Sequence, residues 1–371
     1  MYKTAIKAIV KRKFSYADVH LNGNRPWDIQ VYNDQFFPNV LFQGSLGLGE
    51  SFMEGWIDSA QLDEAIYRIV QKKISEANSL TSLMTSLGAF FLNRQSKKRA
   101  LDVGRQHYDL SNVLFQRMLD SRMTYSCAYW KDANNLDDAQ VAKLDLVCKK
   151  LYLQPGMRVL DIGCGWGSFA KFAAERYGVK VVGITISHQQ LDLAKKLCKG
   201  LPIELRFQDY RDVNESFDRI VSIGQMEHVG YKNYKAYMKM AHRCLPDHGL
   251  FLLHTIGNNA SVYSTDPWID KYIFPNGMLP SIAQLARSSE KCFVMEDWHN
   301  FGADYDKTLM AWFNNFNDHW LELKGSYDER FYRMWKFYLL GCAAAFRARN
   351  IQLWQVVFSK NGIPGGYTSI R

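Results

Sequence analysis

Between Val159 and Gly167 the chain reads Val-Leu-Asp-Ile-Gly-Cys-Gly-Trp-Gly, an apolar run with one carboxylate followed by glycine at 163, 165 and 167. This spacing predicts a strand, a tight turn and a helix start. Glycine permits positive φ and lets bare backbone approach a ligand, while the first helical turn offers unpaired N–H groups and the positive end of the dipole. The predicted chemistry is binding of a small molecule that carries a carboxylate or phosphate. A dinucleotide site requires G-x-G-x-x-G and an acid after the following strand. Here the spacing is G-x-G-x-G, and Val179 to Ile184 runs into Thr185, Ile186 and Ser187. S-adenosylmethionine (AdoMet), a methyl donor, fits the pattern better.

The elements that must hold this loop follow from the hydrophobic pattern. β-rich runs at Arg158 to Ile162, Val179 to Ile184, Ile203 to Phe207, Arg219 to Ile223 and Leu250 to Ile256 alternate with helix-length segments around 168–177, 188–199 and 232–245. Such alternation predicts an α/β chain with a doubly wound, mostly parallel sheet. Pro246-Asp247-His248-Gly249 marks a turn before the fifth strand, and Ile351 to Ser359 is a late apolar strand expected to close the sheet edge. Residues 257–290, with Trp268, Tyr272 and Phe274, read as an insertion over the strand ends that forms part of a substrate pocket. Ahead of the sheet, Leu62, Ile66, Ile69, Val70 and Ile74, then Leu80, Leu83, Met84, Leu87, Phe90 and Phe91, fall at helical spacing. The expected organisation is a small, largely helical domain over 1–92, a basic linker over 93–120 and a catalytic domain over 121–371.

A chain of 371 residues is long for one core, and two are expected. The seven cysteines are scattered and include no C-x-x-C pair, which argues against a disulfide framework and a structural zinc site and fits a reducing cytosol. No metal site is expected. The formal net charge of +9 concentrates at Lys3, Lys7, Lys11, Arg12 and Lys13, and again at Arg94, Lys97, Lys98, Arg99 and Arg105. A solvated surface, an anionic membrane and nucleic acid are all compatible with such charge. The basic N-terminus lacks the apolar core of a signal peptide and no run is long enough to span a bilayer, so a chain neither exported nor membrane-spanning is expected.

Further motifs occur in a fixed order. They are Tyr125-Ser126-Cys127-Ala128-Tyr129-Trp130, the 159–167 loop, Gly183-Ile184-Thr185-Ile186-Ser187 with Gln190, and Glu227-His228-Val229-Gly230. Leu252-Leu253-His254-Thr255-Ile256-Gly257, Phe301-Gly302-Ala303-Asp304-Tyr305 and Phe346-Arg347-Ala348-Arg349 follow. In this order they resemble the cyclopropane fatty acid synthases. Gly44-Ser45-Leu46-Gly47-Leu48-Gly49-Glu50-Ser51 and Gln95-Ser96-Lys97-Lys98-Arg99 also resemble the bacterial enzymes of that family that act on phospholipids. The resemblance covers nearly the whole chain.

It implies a class I AdoMet-dependent methyltransferase fold, Rossmann-like with a mostly parallel seven-stranded sheet. The implied reaction transfers the AdoMet methyl carbon to a cis double bond of an acyl chain in a membrane phospholipid and closes a cyclopropane ring. The resemblance places AdoMet on Tyr125 and Ser126 and on Val159, Leu160, Asp161, Ile162, Gly163, Cys164, Gly165, Trp166 and Gly167. It adds Thr185, Ile186, Ser187 and Gln190, with Asp209 and Tyr210. The usual acid for the ribose hydroxyls after the second strand is missing, itself a trait of the family, which leaves that task to Gln190 or Asp209.

An alkene is a weak neutral nucleophile. Its π electrons attack the sulfonium methyl in line, and the resulting cation must lose a proton from the former methyl before the ring closes. Orientation in a dry pocket is the largest lever, and aromatic faces stabilise a positive centre by roughly 0.5 to 2 kcal/mol each. Tyr129, Trp130, Trp268, Tyr272 and Phe274 are candidates. A protein carboxylate facing both a sulfonium and a carbocation is open to alkylation, which favours a small exchangeable base. The resemblance supplies bicarbonate, cradled by Cys127, Glu227, His254, the Ile256 backbone and Tyr305. These are expected at or just beyond strand ends, except Cys127 and Tyr305, which are expected in loops. A proton shared among Glu227, His254 and bicarbonate lets the ion accept a proton and pass it on. The family also has a cysteine at the position of Cys342. No step requires an enzyme nucleophile, and a cysteine among small apolar residues is expected to pack at the pocket wall.

Other classes fit less well. A nucleic-acid methyltransferase would use the basic charge, but the chain has no Asn-Pro-Pro-Tyr or Asp-Pro-Pro-Tyr run, no Pro-Cys pair and no nucleic-acid-binding module. A small-molecule N- or C-methyltransferase is the closer competitor, but its substrates need no lipid-facing domain and no proton loss from the new methyl; a small-molecule or lipid C- or N-methyltransferase giving a methyl-branched product is the alternative. A binding module that has lost catalysis predicts damaged motifs, and these are intact. The expectation is a phospholipid cyclopropanation enzyme of the cytoplasm, peripheral at the inner membrane surface. Its expected partners are an anionic phospholipid surface and an unsaturated phospholipid substrate, without nucleic acid, and the resemblance implies a homodimer.

Overall fold

The computed structural model describes residues 2–72 and 111–371. They fall into two compact units, one of residues 2–72 with Tyr263–Pro275 and Tyr305–Ile351, the other of residues 111–262 with Asn276–Asp304 and Gln352–Arg371. Ile74, the helix expected through Leu80 to Phe91 and the basic cluster from Arg94 to Arg105 lie outside the described residues.

The first unit is mainly helical, with one short antiparallel pair, β1 (Gln30–Val31) and β2 (Ile57–Asp58). Its helix Leu62–Gln71 follows the sequence pattern, burying Leu62, Ala65, Ile66 and Ile69 along one stripe and placing Asp63 and Glu64 at the positive end of the dipole. That helix packs on the long helix Glu329–Arg347. Arg347 ties the group together, donating to Asp63 at 2.9 Å and to Asp306 at 2.9 and 3.0 Å. Trp268 is 1% exposed. A Cβ on Gly49 would lie 2.4 Å from its indole, and Phe337 meets it edge-on at 4.7 Å between centroids. Burying so large a side chain outweighs any role as a free cover. The stretch 257–290, expected as one insertion, therefore divides, with 263–275 joining the helical unit and 276–290 the sheet unit. The expected 121–371 domain is likewise interrupted where 305–351 joins the helices.

The second unit is built on β3 (Arg158–Ile162), β4 (Lys180–Thr185), β5 (Ile203–Phe207), β6 (Arg219–Ile223), β7 (Leu250–Asn258), β8 (Val294–Asn300) and β9 (Ile351–Ser359). They form one seven-stranded sheet in the order β5-β4-β3-β6-β7-β9-β8, parallel from β5 through β7 and antiparallel between β8 and β9. Alternate side chains feed two cores. Leu160, Val182, Ile220, Leu253 and Val356 enter one, and Val159, Val181, Val221, Leu252 and Val357 the other.

Ile351 to Ser359 is a strand as expected, but it does not close the edge. Gln352 to Ser359 are all buried, which requires neighbours on both sides, and β9 lies between β7 and β8. The edge is taken by Val-Met-Glu-Asp-Trp-His-Asn, whose polar groups and exposed Val294 and Met295 tolerate water.

Register then fixes where a ligand can bind. Ile162 is level with Ile184 and Ser222, and Ile223 with His254, so the carboxyl ends of the central strands come together. Strand order reverses between β3 and β6, the place where open α/β sheets hold ligands.

Candidate functional site

Gly163, Gly165 and Gly167 follow β3 with φ of 80°, 55° and 83°, the left-handed backbone that side chains disfavour. Gly163 is also confined by packing. A Cβ there would sit 2.4 Å from Oε1 of Gln225, just beyond β6, so the β3 and β6 loops meet at the reversal point. The helix Ser168–Tyr177 begins at Gly167 without a side-chain cap, leaving its first N–H groups to a ligand.

The residues expected around AdoMet all belong to this unit. Val159, Leu160, Ile162, Cys164 and Trp166 are buried, and burial raises the Cys164 thiol far above its ordinary range, so it packs and does not react. Asp161 is buried with Oδ2 unpartnered among the described residues, and desolvation pushes its carboxyl up to about 7 although Lys143 pulls it down. Tyr125 meets Phe115 edge-on at 5.2 Å, and Phe115 lies 4.9 Å from Trp166. The Thr185 hydroxyl donates to Oε1 of Gln190 at 3.4 Å and accepts the Ser187 N–H at 3.2 Å. Ser187 in turn caps the helix His188–Leu197, and Ile186 is half-buried between them. Asp209 accepts the Arg211 N–H and Nε–H, both at 2.9 Å. Tyr210 is buried with its hydroxyl unpartnered.

Ser126 shows a dependence the sequence did not signal. The ammonium of Lys143, fully buried, donates to Ser126 Oγ at 2.8 Å. Burial lowers Lys143 to about 8, against the opposing pull of Asp120, Cys127 and Asp161. An ammonium only donates, so the Ser126 proton is directed elsewhere and is available to a ligand.

The proposed base cradle is partly assembled in the same unit. Glu227, on the short helix Met226–Val229, accepts the Ile256 N–H through Oε1 at 2.7 Å, and its buried Oε2 has no partner among the described residues. Burial pushes its carboxyl up to about 7, tempered by the hydrogen bond from the Ile256 N–H. His254 lies inside β7, two residues before Ile256, because the strand runs past the expected end at Ile256 to Asn258. Desolvation, with the cations of Lys143 and Lys150, holds it well below its ordinary range and hence neutral. Its Nδ1 is 3.3 Å from Nε2 of Gln355, and its own Nε2 is buried without a partner among the described residues. Phe301 meets the imidazole edge-on at 5.9 Å. Cys127 is fully buried, donating to the Ala128 carbonyl at 3.2 Å.

Tyr305 is not in a loop. It begins the buried stripe of the helix Ala303–Asp318, followed by Thr308, Leu309, Trp312 and Phe316, a spacing that dictates a helix. It lies 4.5 Å from Phe346 within the helical unit. Cys342 belongs to that unit as well, on the helix Glu329–Arg347. Burial pushes its thiol up to about 12, so no thiolate forms near neutrality. Of the aromatic candidates, Trp268, Tyr272 and Phe274 pack with helices, whereas Tyr129 contacts His299 and Phe301 at 5.7 and 5.2 Å in the sheet unit.

The family model described as Mycolic acid cyclopropane synthetase matches residues 95–356. The chain is 54% identical over 365 residues to the cyclopropane-fatty-acyl-phospholipid synthase of Escherichia coli (strain K12), covering 98% of this chain and 95% of that protein. Among solved structures it is similar to the cyclopropane synthase MmaA2 from Mycobacterium tuberculosis, at 34% identity and a TM-score of 0.67 over 70% of this chain and 98% of that one. Mycolic acid cyclopropane synthase CmaA1 complexed with SAH and CTAB matches at 35% identity and a TM-score of 0.66, again over 70% and 98%.

Proposed function

Because this chain belongs to the mycolic acid cyclopropane synthetase family, we propose that it transfers a methylene group from AdoMet to a cis double bond of an acyl chain in a membrane phospholipid, with bicarbonate as general base. It is an AdoMet-dependent methyltransferase acting on an unsaturated lipid. The observation that carries the finer reading is the pair of buried, unpartnered atoms, Glu227 Oε2 and His254 Nε2. Burial of such atoms is costly unless something pairs with them. A small oxyanion with one proton of its own suits a neutral imidazole and a carboxyl poised near 7.

Bound AdoMet supplies an electrophilic methyl group, and bicarbonate supplies a base not tethered to the protein. The chain's residues do the rest. Asp161 Oδ2 accepts from an ammonium, Ser126 donates to a carboxylate, and the glycine loop and helix start add backbone donors. Glu227 exchanges a proton near neutrality while anchored to β7. Phe301 packs edge-on against the imidazole and is itself backed by Tyr129. Tyr305 keeps its role in the cradle on the family motif alone, and Cys127 rests on that motif with the nearby charge of Lys143 in support.

The helical unit is proposed to meet the lipid surface. Leu321 and Phe42, apolar yet 84% and 52% exposed, support this. No described helix is long and apolar enough to cross a membrane. Two such units in a homodimer would engage one surface with greater avidity. A methyl-branched product is the alternative, supported by 36% identity over 334 residues to a probable fatty acid methyltransferase of Pseudomonas putida, covering 84% of this chain and 82% of that one. The base assignment is tested by assay in carbon-dioxide-depleted buffer. Turnover should fall and return on adding bicarbonate, and indifference to bicarbonate would remove it.

A further inference from the structure

Gln355 is an unusual residue for its position. It lies on β9 between Trp354 and Val356, wholly buried, with its carbonyl Oε1 unpartnered among the described residues. β9 is the sheet neighbour of β7, and the Gln355 amide nitrogen lies 3.3 Å from Nδ1 of His254. A buried amide with an open carbonyl is unfavourable, and an apolar side chain would pack there without that cost. The amide therefore calls for an explanation beyond folding.

Its chemistry supplies one. An amide NH2 only donates, so Nδ1 must accept, and a neutral imidazole accepting at Nδ1 carries its proton on Nε2. That nitrogen has no partner among the described residues. We propose that Gln355 is a positioning residue that fixes His254 as the Nε2–H tautomer and so presents a hydrogen-bond donor to an oxyanion. The proposal rests on the reading of His254 as part of the base cradle. With the opposite tautomer Nε2 would only accept, so it would offer no hydrogen bond to an oxyanion oxygen. Gln355 touches neither substrate nor anion in this role; it acts through the ring.

The test is nitrogen NMR of full-length protein labelled with 15N-histidine, with His254→Asn used to assign the His254 signals. In the wild type, Nδ1 should show the shift of an unprotonated ring nitrogen and Nε2 that of a protonated one. Gln355→Glu, nearly isosteric, places an acceptor against Nδ1. It should reverse the two shifts and lower kcat by about tenfold, the scale usual for a group acting through its neighbour, while KM for AdoMet stays unchanged. A proton on Nδ1 in the wild type overturns the proposal without any Gln355 variant. An unchanged tautomer and kcat in Gln355→Glu also overturn it. If His254→Asn keeps full turnover, the cradle reading itself fails, an outcome distinct from a wrong tautomer.

Discussion

One oxygen of Glu227 accepts the backbone N–H of Ile256 at 2.7 Å, while the other is buried without a partner among the described residues. The first contact ties the carboxyl to β7, and the second leaves it chemically open. Glu227→Gln retains an oxygen for the Ile256 N–H but removes the exchangeable proton. Turnover should fall by about 100-fold or more, with binding of S-adenosylhomocysteine unchanged by calorimetry. Equal loss of both would refute the cradle assignment.

The same carboxyl has a pH signature. Its native value is raised from 4.5 to about 7 by burial, so between those values the folded chain holds a proton that the unfolded chain has released. Its contribution to stability therefore declines as pH rises through that window and is level above it. His254, held neutral, acts oppositely, its contribution being lost as pH falls below its ordinary value. Subtracting Glu227→Gln from wild type isolates the glutamate. Urea unfolding should show the variant gaining by roughly 3 kcal/mol relative to wild type between about pH 4.5 and pH 7. A difference that is flat with pH would contradict the raised value.

Cys342→Ser should keep kcat within about threefold of wild type, because a thiol pushed up to about 12 supplies no nucleophile. Loss of turnover in a variant with native thermal stability would show that the thiol takes part.

Lys143→Met removes the cation behind Ser126 and beside Asp161 while filling a similar volume. Binding of S-adenosylhomocysteine should weaken by about tenfold, roughly 1.4 kcal/mol, whereas 5′-methylthioadenosine, which lacks the amino-acid end, should be little affected. Titration calorimetry on both ligands decides, and equal weakening would contradict the role of Lys143 in setting Ser126.

The strands from Arg158 to Ile223 and the glycine loop were legible in the sequence because they are apolar, periodic and punctuated by glycine. Val294 to Asn300 was not, since an edge strand alternates charge with apolar residues and looks like a loop. Composition marks Trp268 and its neighbours as an aromatic cluster without saying which core receives it, so their place in the helical unit is not legible in the sequence. Lys143 and Gln355 gave no signal at all. A lysine on a helix and a glutamine on a strand usually face water, and only three-dimensional placement shows that these two are buried against Ser126 and His254.

Methylene transfer to a lipid double bond is measured with vesicles of cis-unsaturated phospholipid and methyl-13C AdoMet. Mass spectrometry should show one labelled CH2 gained per converted acyl chain, and proton NMR should show cyclopropane ring protons. Unmodified chains, or chains carrying a labelled methyl branch without ring protons, would contradict it.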